Sequence, residues 1–130
     1  MKIYPKKSSW IIILIATSFG FFIGIASIIE DAYFIPGYLS FLFPIIMAMY
    51  NYTAIIIVEN DRIIFMRYFR QIWYAEFSNT LLIKGRVGSP PLLKGLLLKN
   101  ICNGKFIGEI VTGNYQEKDI EFIKSKFSIN

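Results

Sequence analysis

The chain has 130 residues, 55% of them hydrophobic, 17% aromatic and 18% charged, with a formal net charge of +5. That length allows one small domain beside a short membrane segment, and the composition is too apolar for an ordinary soluble domain yet too charged for a chain that is membrane throughout. With no histidine and a single cysteine, Cys102, it excludes Ser-His-Asp, Cys-His and HExxH chemistry, an intrachain disulfide and a cysteine-built zinc site, so no cofactor or metal is expected.

Two charge-free stretches come first, residues 8–29 and 32–58, separated by Glu30 and Asp31. A helix needs about 20 apolar residues to cross a bilayer. The chain is therefore expected to begin as a membrane hairpin over residues 1–51, with helices at 10–29 and 35–51. The first stretch is longer than a signal-peptide core and lacks a small-x-small cleavage site, so it reads as a retained helix. Ala16, Gly20 and Gly24 recur every four residues along it. Small residues at that spacing allow close helix packing in lipid, here against the second helix near Ala48 and Pro44; a homo-oligomer or a partner membrane protein is the other use of such a face. Trp10 and Tyr4 at one end, and Tyr50 and Tyr52 at the other, suit the headgroup region. Pro36 fits a first-turn position. Pro44 falls mid-helix, where a kink is expected.

Charge sets the orientation. Lys2, Lys6 and Lys7 precede the first helix, Arg62, Arg67 and Arg70 follow the second, and the link carries only Glu30 and Asp31. The positive-inside rule places both termini in the cytoplasm and the chain in the inner (plasma) membrane as a multi-pass protein. Tyr33, Phe34, Ile35 and Tyr38 flank the outer link, residues 30–36, as an aromatic belt or a contact site for something arriving from outside.

After Asn51 the pattern changes to a β-rich domain, residues 52–130. Residues 53–58 are mostly β-branched, Glu59-Asn60-Asp61-Arg62 is a turn, and residues 63–69 read as the returning strand. A turn at Arg70-Gln71 leads into a short strand at 72–77. Further strands are expected at 80–87, 92–101 and 105–112, broken at Gly88-Ser89-Pro90-Pro91 and Asn103-Gly104. Ile120, Ile123 and Phe127 then fall on one helical face, with Asn114 and Glu117 spaced as a capping box. The fold class expected is a membrane α hairpin plus a β-rich α+β domain: an antiparallel sheet or barrel-like sandwich of about six strands closed by a C-terminal helix.

This order resembles the bacterial pleckstrin-homology-like (PH-like) membrane proteins. The resemblance rests on the first β-hairpin around Glu59-Asn60-Asp61-Arg62, on Ile72-Trp73-Tyr74-Ala75-Glu76-Phe77, and on the terminal helix at 116–127. It implies two transmembrane helices followed by a bent sheet capped by a C-terminal helix, and no catalytic signature. Small members of this layout resemble immunity proteins that accompany membrane-active bacteriocins. The implied partners are then the lipid bilayer and a toxin or its receptor; the alternative is an accessory or docking subunit of a larger membrane transport or secretion complex.

Residues 59–130 carry 11 basic and 7 acidic side chains. Basic groups held near an anionic leaflet are drawn to it, at about 1 kcal/mol each. Arg62, Arg67, Arg70, Lys84 and Arg86 are the expected membrane-surface or partner-binding residues, with Lys94, Lys99 and Lys105 as further basic groups. Gly85-Arg86-Val87-Gly88-Ser89-Pro90-Pro91 lacks the Gly-Lys-Ser/Thr ending and the following helix of a phosphate loop. The acids are scattered without a general acid-base pair. A non-enzymatic binding module, without nucleic acid, is the reading that follows.

Overall fold

The computed structural model describes residues 1–7, 9–29 and 35–128, without the side chains of 9–13, 16, 27–28, 35–41, 43–44 and 128. Contacts divide it into two compact units, residues 7–52 and a second formed by Met1–Lys6 together with Thr53–Asn130.

The first unit is a pair of helices, α1 (Ser9–Ile29) and α2 (Ile35–Tyr52), packed on each other. At 1.5 Å per residue they rise about 31 and 27 Å. Gly20 and Gly24 are buried and Ala48 is half-buried, whereas Phe19, Phe21, Phe22, Ile45 and Ile46 are exposed. Among the described side chains, Gly20, Gly24 and Ala48 thus sit inward and the large apolar ones outward, the reverse of the size pattern of a water-soluble pair. Among the described residues, no helix is long and apolar enough to cross a membrane. Helix α2 continues through Pro44. Residues 30–34 of the expected outer link, with Tyr33 and Phe34, and the side chains of Trp10, Ala16, Ile35 and Tyr38 lie outside the described residues.

The second unit is an α+β fold of two antiparallel sheets and a C-terminal helix. One sheet has the order β1 (Lys2–Ile3), β2 (Ile55–Val58), β3 (Arg62–Arg67), β4 (Arg70–Glu76); the other is β5 (Thr80–Val87), β6 (Leu93–Asn100), β7 (Phe106–Val111). Helix α3 (Glu117–Ser128) follows. Burial alternates along β2 and along the first four residues of β3, as period-2 patterning requires of a sheet with one covered face.

Strand β1 was not expected from the sequence. Lys2 pairs with Ile57 and Ile3 with Ile56, and the Met1 ammonium donates to the Val58 carbonyl at 2.6 Å. The first six residues therefore belong to the β domain and not to the hairpin. The turn between β3 and β4 also differs. It falls on Tyr68 and Phe69, both at positive φ (51° and 60°), so the returning strand begins at Arg70. The expected capping box is not formed. Asn114 lies in a short 3-10 turn with its carbonyl accepting from the Lys6 N–H. Gln116 precedes α3, and its carbonyl accepts the bond from Ile120 N–H.

Both sheets and α3 share one core. Ile56, Ile63, Phe65 and Ala75 come from the first sheet, Leu96, Leu98 and Ile110 from the second, and Ile120 and Ile123 from the helix. Phe127 meets Phe77 edge-on with ring centroids 5.0 Å apart. The sheets are locked where Trp73 of β4 lies flat against Gly108 of β7: a Cβ at Gly108 would come within 2.5 Å of the indole. Trp73 in turn stacks on Phe65 at 5.3 Å. Tyr115, buried at 2% exposure, closes the base of the core and donates its hydroxyl to the Ala54 carbonyl at 2.7 Å. That bond ties the approach to α3 to the start of β2.

Candidate functional site

The five basic residues expected at a surface site take three different places. Arg62 is exposed and paired with Glu59, whose carboxylate holds the guanidinium above its ordinary pKa. An exposed i,i+3 pair of this kind contributes little to stability. Arg67 is half-buried, with its guanidinium 5.1 Å above the Phe65 ring. Arg70 is exposed and directly opposite Arg67 across the β3–β4 turn.

Lys84 and Arg86 lie on β5, with Lys94 of β6 directly opposite Arg86. Residues two apart on a strand share a face, so these three cations crowd one face of the β5–β6 pair. Like charges placed opposite each other in a sheet are destabilising. Arg86 turns part of its charge away by donating from Nη1 to the Leu92 carbonyl at 2.9 Å.

Beside them is a cavity of about 470 Å³, lined by Lys6, Lys84, Lys94 and Lys124 among others. Its apolar floor includes Leu96 and Ile120. Two carboxylates, Glu117 and Glu121, also line it. Glu121 is engaged by Lys124, and its pKa is lowered first by that hydrogen bond and then by the charges of Lys124 and Lys84. The four lysines outnumber the two acids, so the lining is net cationic. A volume of this size suits a small organic ligand, and the charge balance suits an anionic one.

Of the basic residues singled out from the sequence of the domain, Lys84 and Lys94 line this cavity, and Arg62, Arg67, Arg70 and Arg86 do not. Lys6 comes from the segment after β1, Lys94 from β6 and Lys124 from α3. No local spacing links them; the antiparallel pairing and the bond between Lys6 N–H and the Asn114 carbonyl bring them together. Among the described residues, no group of three His, Cys, Asp or Glu could hold a metal ion. Cys102 is exposed in the β6–β7 turn.

No protein-family model matches the chain, and neither the curated proteins nor the solved structures give a match.

Proposed function

We propose that the chain is a membrane-anchored, non-enzymatic binding module of PH-like build, with the α1–α2 hairpin spanning the inner membrane and the β domain held at its cytoplasmic surface. One observation carries the reading: the chain leaves the domain after β1, passes through a hairpin whose outer side chains are large and apolar, and returns to pair β2 with β1. The four-stranded and three-stranded sheets with a terminal helix support the PH-like comparison. The described residues alone supply no helix apolar enough over its length to span. What supports a span is the full sequence of α1, whose 21 residues hold no charge and rise about 31 Å, against a hydrocarbon core of about 30 Å.

Pairing β1 with β2 requires both ends of the hairpin to be on one side of the bilayer. Lys6 and Lys7 at one end, with Arg62, Arg67 and Arg70 beyond the other, make that side the cytoplasm. Within this reading the lysine-lined cavity is where an anionic ligand or partner group binds. The biological setting that accords with the resemblance is protection against a membrane-active toxin, through the hairpin or its outer link. The docking-subunit alternative draws on the Ala16, Gly20 and Gly24 face, of which Gly20 and Gly24 are buried in this chain.

Alkaline carbonate extraction of membranes from cells expressing the full chain tests the anchor, and the chain is expected to stay in the pellet. Reporter fusions test orientation: a C-terminal alkaline phosphatase fusion should be inactive, and an active one overturns the topology. Expression in a strain sensitive to the toxin encoded beside it is expected to reduce killing, and unchanged killing removes the immunity setting. Co-purification of a stoichiometric membrane partner in mild detergent would favour the docking subunit.

A further inference from the structure

The β3–β4 turn breaks the usual rule for its geometry. Two-residue hairpin turns with positive φ at both central positions are built from Asn-Gly, Asp-Gly or Gly-Gly. Here those positions are Tyr68 and Phe69, at φ 51° and 60°, where bulky residues are strained. The Phe69 ring does not serve the core, because it is 76% exposed. Residues held in unfavourable backbone regions cluster at functional sites.

Three further facts describe the surroundings of the tip. Arg67 and Arg70 flank the two aromatics and pair with each other in register. The Tyr68 N–H donates to the Thr53 hydroxyl at 2.8 Å. Thr53 is the residue that follows Tyr52, the last of α2. The tip is therefore held to Thr53, the residue with which the chain enters the β domain after α2.

We propose that Tyr68-Phe69-Arg70 is a second lipid contact, in which the Tyr68 and Phe69 rings enter the headgroup layer and Arg70 pairs with lipid phosphates beside them. Amphipathic rings favour that layer, and arginine is suited to phosphate oxygens. Arg67 is not part of the contact, because its guanidinium lies over the buried Phe65 ring. The contact rests on the membrane-anchor reading and goes beyond it.

The test uses the full chain in anionic vesicles. Cys102→Ser removes the exposed native thiol, and a polarity-sensitive dye is attached at Phe69→Cys or, as the comparison site, at Ile101→Cys. The dye at position 69 is expected to shift to the blue and to be quenched by lipid spin-labelled at the headgroup, with the dye at position 101 remaining aqueous. In the same background, Arg70→Gln is expected to move the tip about fivefold toward the unseated state. Phe69→Gly supplies the control for folding: glycine tolerates φ 60°, so this variant should unfold at the same or a higher urea concentration. Equal dye behaviour at 69 and 101, or a loss of urea stability in Phe69→Gly, overturns the lipid contact. A chain that resists carbonate but keeps an aqueous dye at 69 overturns this contact alone. A chain washed off by carbonate overturns the contact and the anchor together.

Discussion

The two units of this chain use similar side chains in opposite ways. The β domain hides Ile56, Ile63, Leu96, Leu98 and Ile123 almost completely. The helical hairpin buries Gly20 and Gly24, while Phe22 stands 78% exposed. In water the hydrophobic effect, at about 25 cal/mol per Å² of apolar surface, enforces the first arrangement and opposes the second. In lipid there is no such force between helices, so small residues take the contact and large ones face the hydrocarbon. Hydrophobicity by itself therefore does not distinguish these regions; what differs is which size of side chain faces inward. The same comparison explains why α1 could be read as a packing helix from Gly20 and Gly24, whereas α3 was read from Ile120, Ile123 and Phe127.

The sharpest way to break the comparison is to make the same kind of cut in each unit. Ile123→Ala removes a side chain with 0% exposure at the junction of both sheets and α3. It is expected to destabilise the β domain by about 2–5 kcal/mol, measured by urea unfolding in detergent with Trp73 fluorescence as the probe. Phe22→Ala, in the exposed shell of α1, should leave that unfolding curve within about 0.5 kcal/mol.

A charge gives the converse test. On a water-exposed surface, Phe22→Asp would change stability by less than about 0.5 kcal/mol. In the middle of a bilayer-spanning helix it would cost about 2.5–3.5 kcal/mol of insertion free energy. The hairpin reading thus predicts that Phe22→Asp shifts much of the chain from the carbonate-resistant pellet to the soluble fraction or to degradation. Unchanged retention would place Phe22 in water and remove the contrast on which the proposed function stands.

Much of the β domain was legible because local pattern governs it. The β-branched run at 53–58 contains β2, the run at 80–87 coincides with β5, and the helical face Ile120, Ile123, Phe127 belongs to α3. Three features were not legible, each for a physical reason. Strand β1 has two residues, too few for any period, and its partner Ile57 lies beyond the whole hairpin. The turn at Tyr68 and Phe69 uses residue types that ordinarily avoid positive φ; no propensity argument reaches it. The cavity collects Lys84, Lys94 and Lys124 from three separate elements and Lys6 from the segment after β1, so their convergence is a product of topology. Arg62 is a surface cation, as its sequence position implies, but sequence position is blind to its pairing with Glu59 and to Arg67 lying half-buried over Phe65.

Within the β domain, Tyr115 sharpens the account of what holds the two ends of the chain together. Tyr115→Phe deletes the hydroxyl that satisfies the Ala54 carbonyl. The expected cost is about 1–3 kcal/mol, because a buried acceptor is left without its donor. Burial also raises the Tyr115 pKa above its ordinary value near 10, with nearby Arg67 opposing the shift. The folded state thus holds the phenolic proton more tightly than the unfolded state. The corresponding stability is fully present below pH of about 10 and is lost as pH rises beyond it. The wild type should show this alkaline loss in urea titrations, and Tyr115→Phe should flatten it.

Thr80 is the counterpart to Tyr115 and carries the smallest expected effect. Both hydroxyls are buried in the same domain, but the Thr80 Oγ1 has no hydrogen-bond partner among the described residues. A hydroxyl taken out of water without a partner costs about 1–3 kcal/mol by mutational data. Valine has nearly the same shape and is also β-branched, so it suits the first position of β5. Thr80→Val is therefore expected to raise the urea midpoint, by about 1 kcal/mol in stability, whereas Tyr115→Phe lowers it. If Thr80→Val destabilises the domain instead, the hydroxyl makes a bond in solution, and the start of β5 is held by a polar contact as well as by packing.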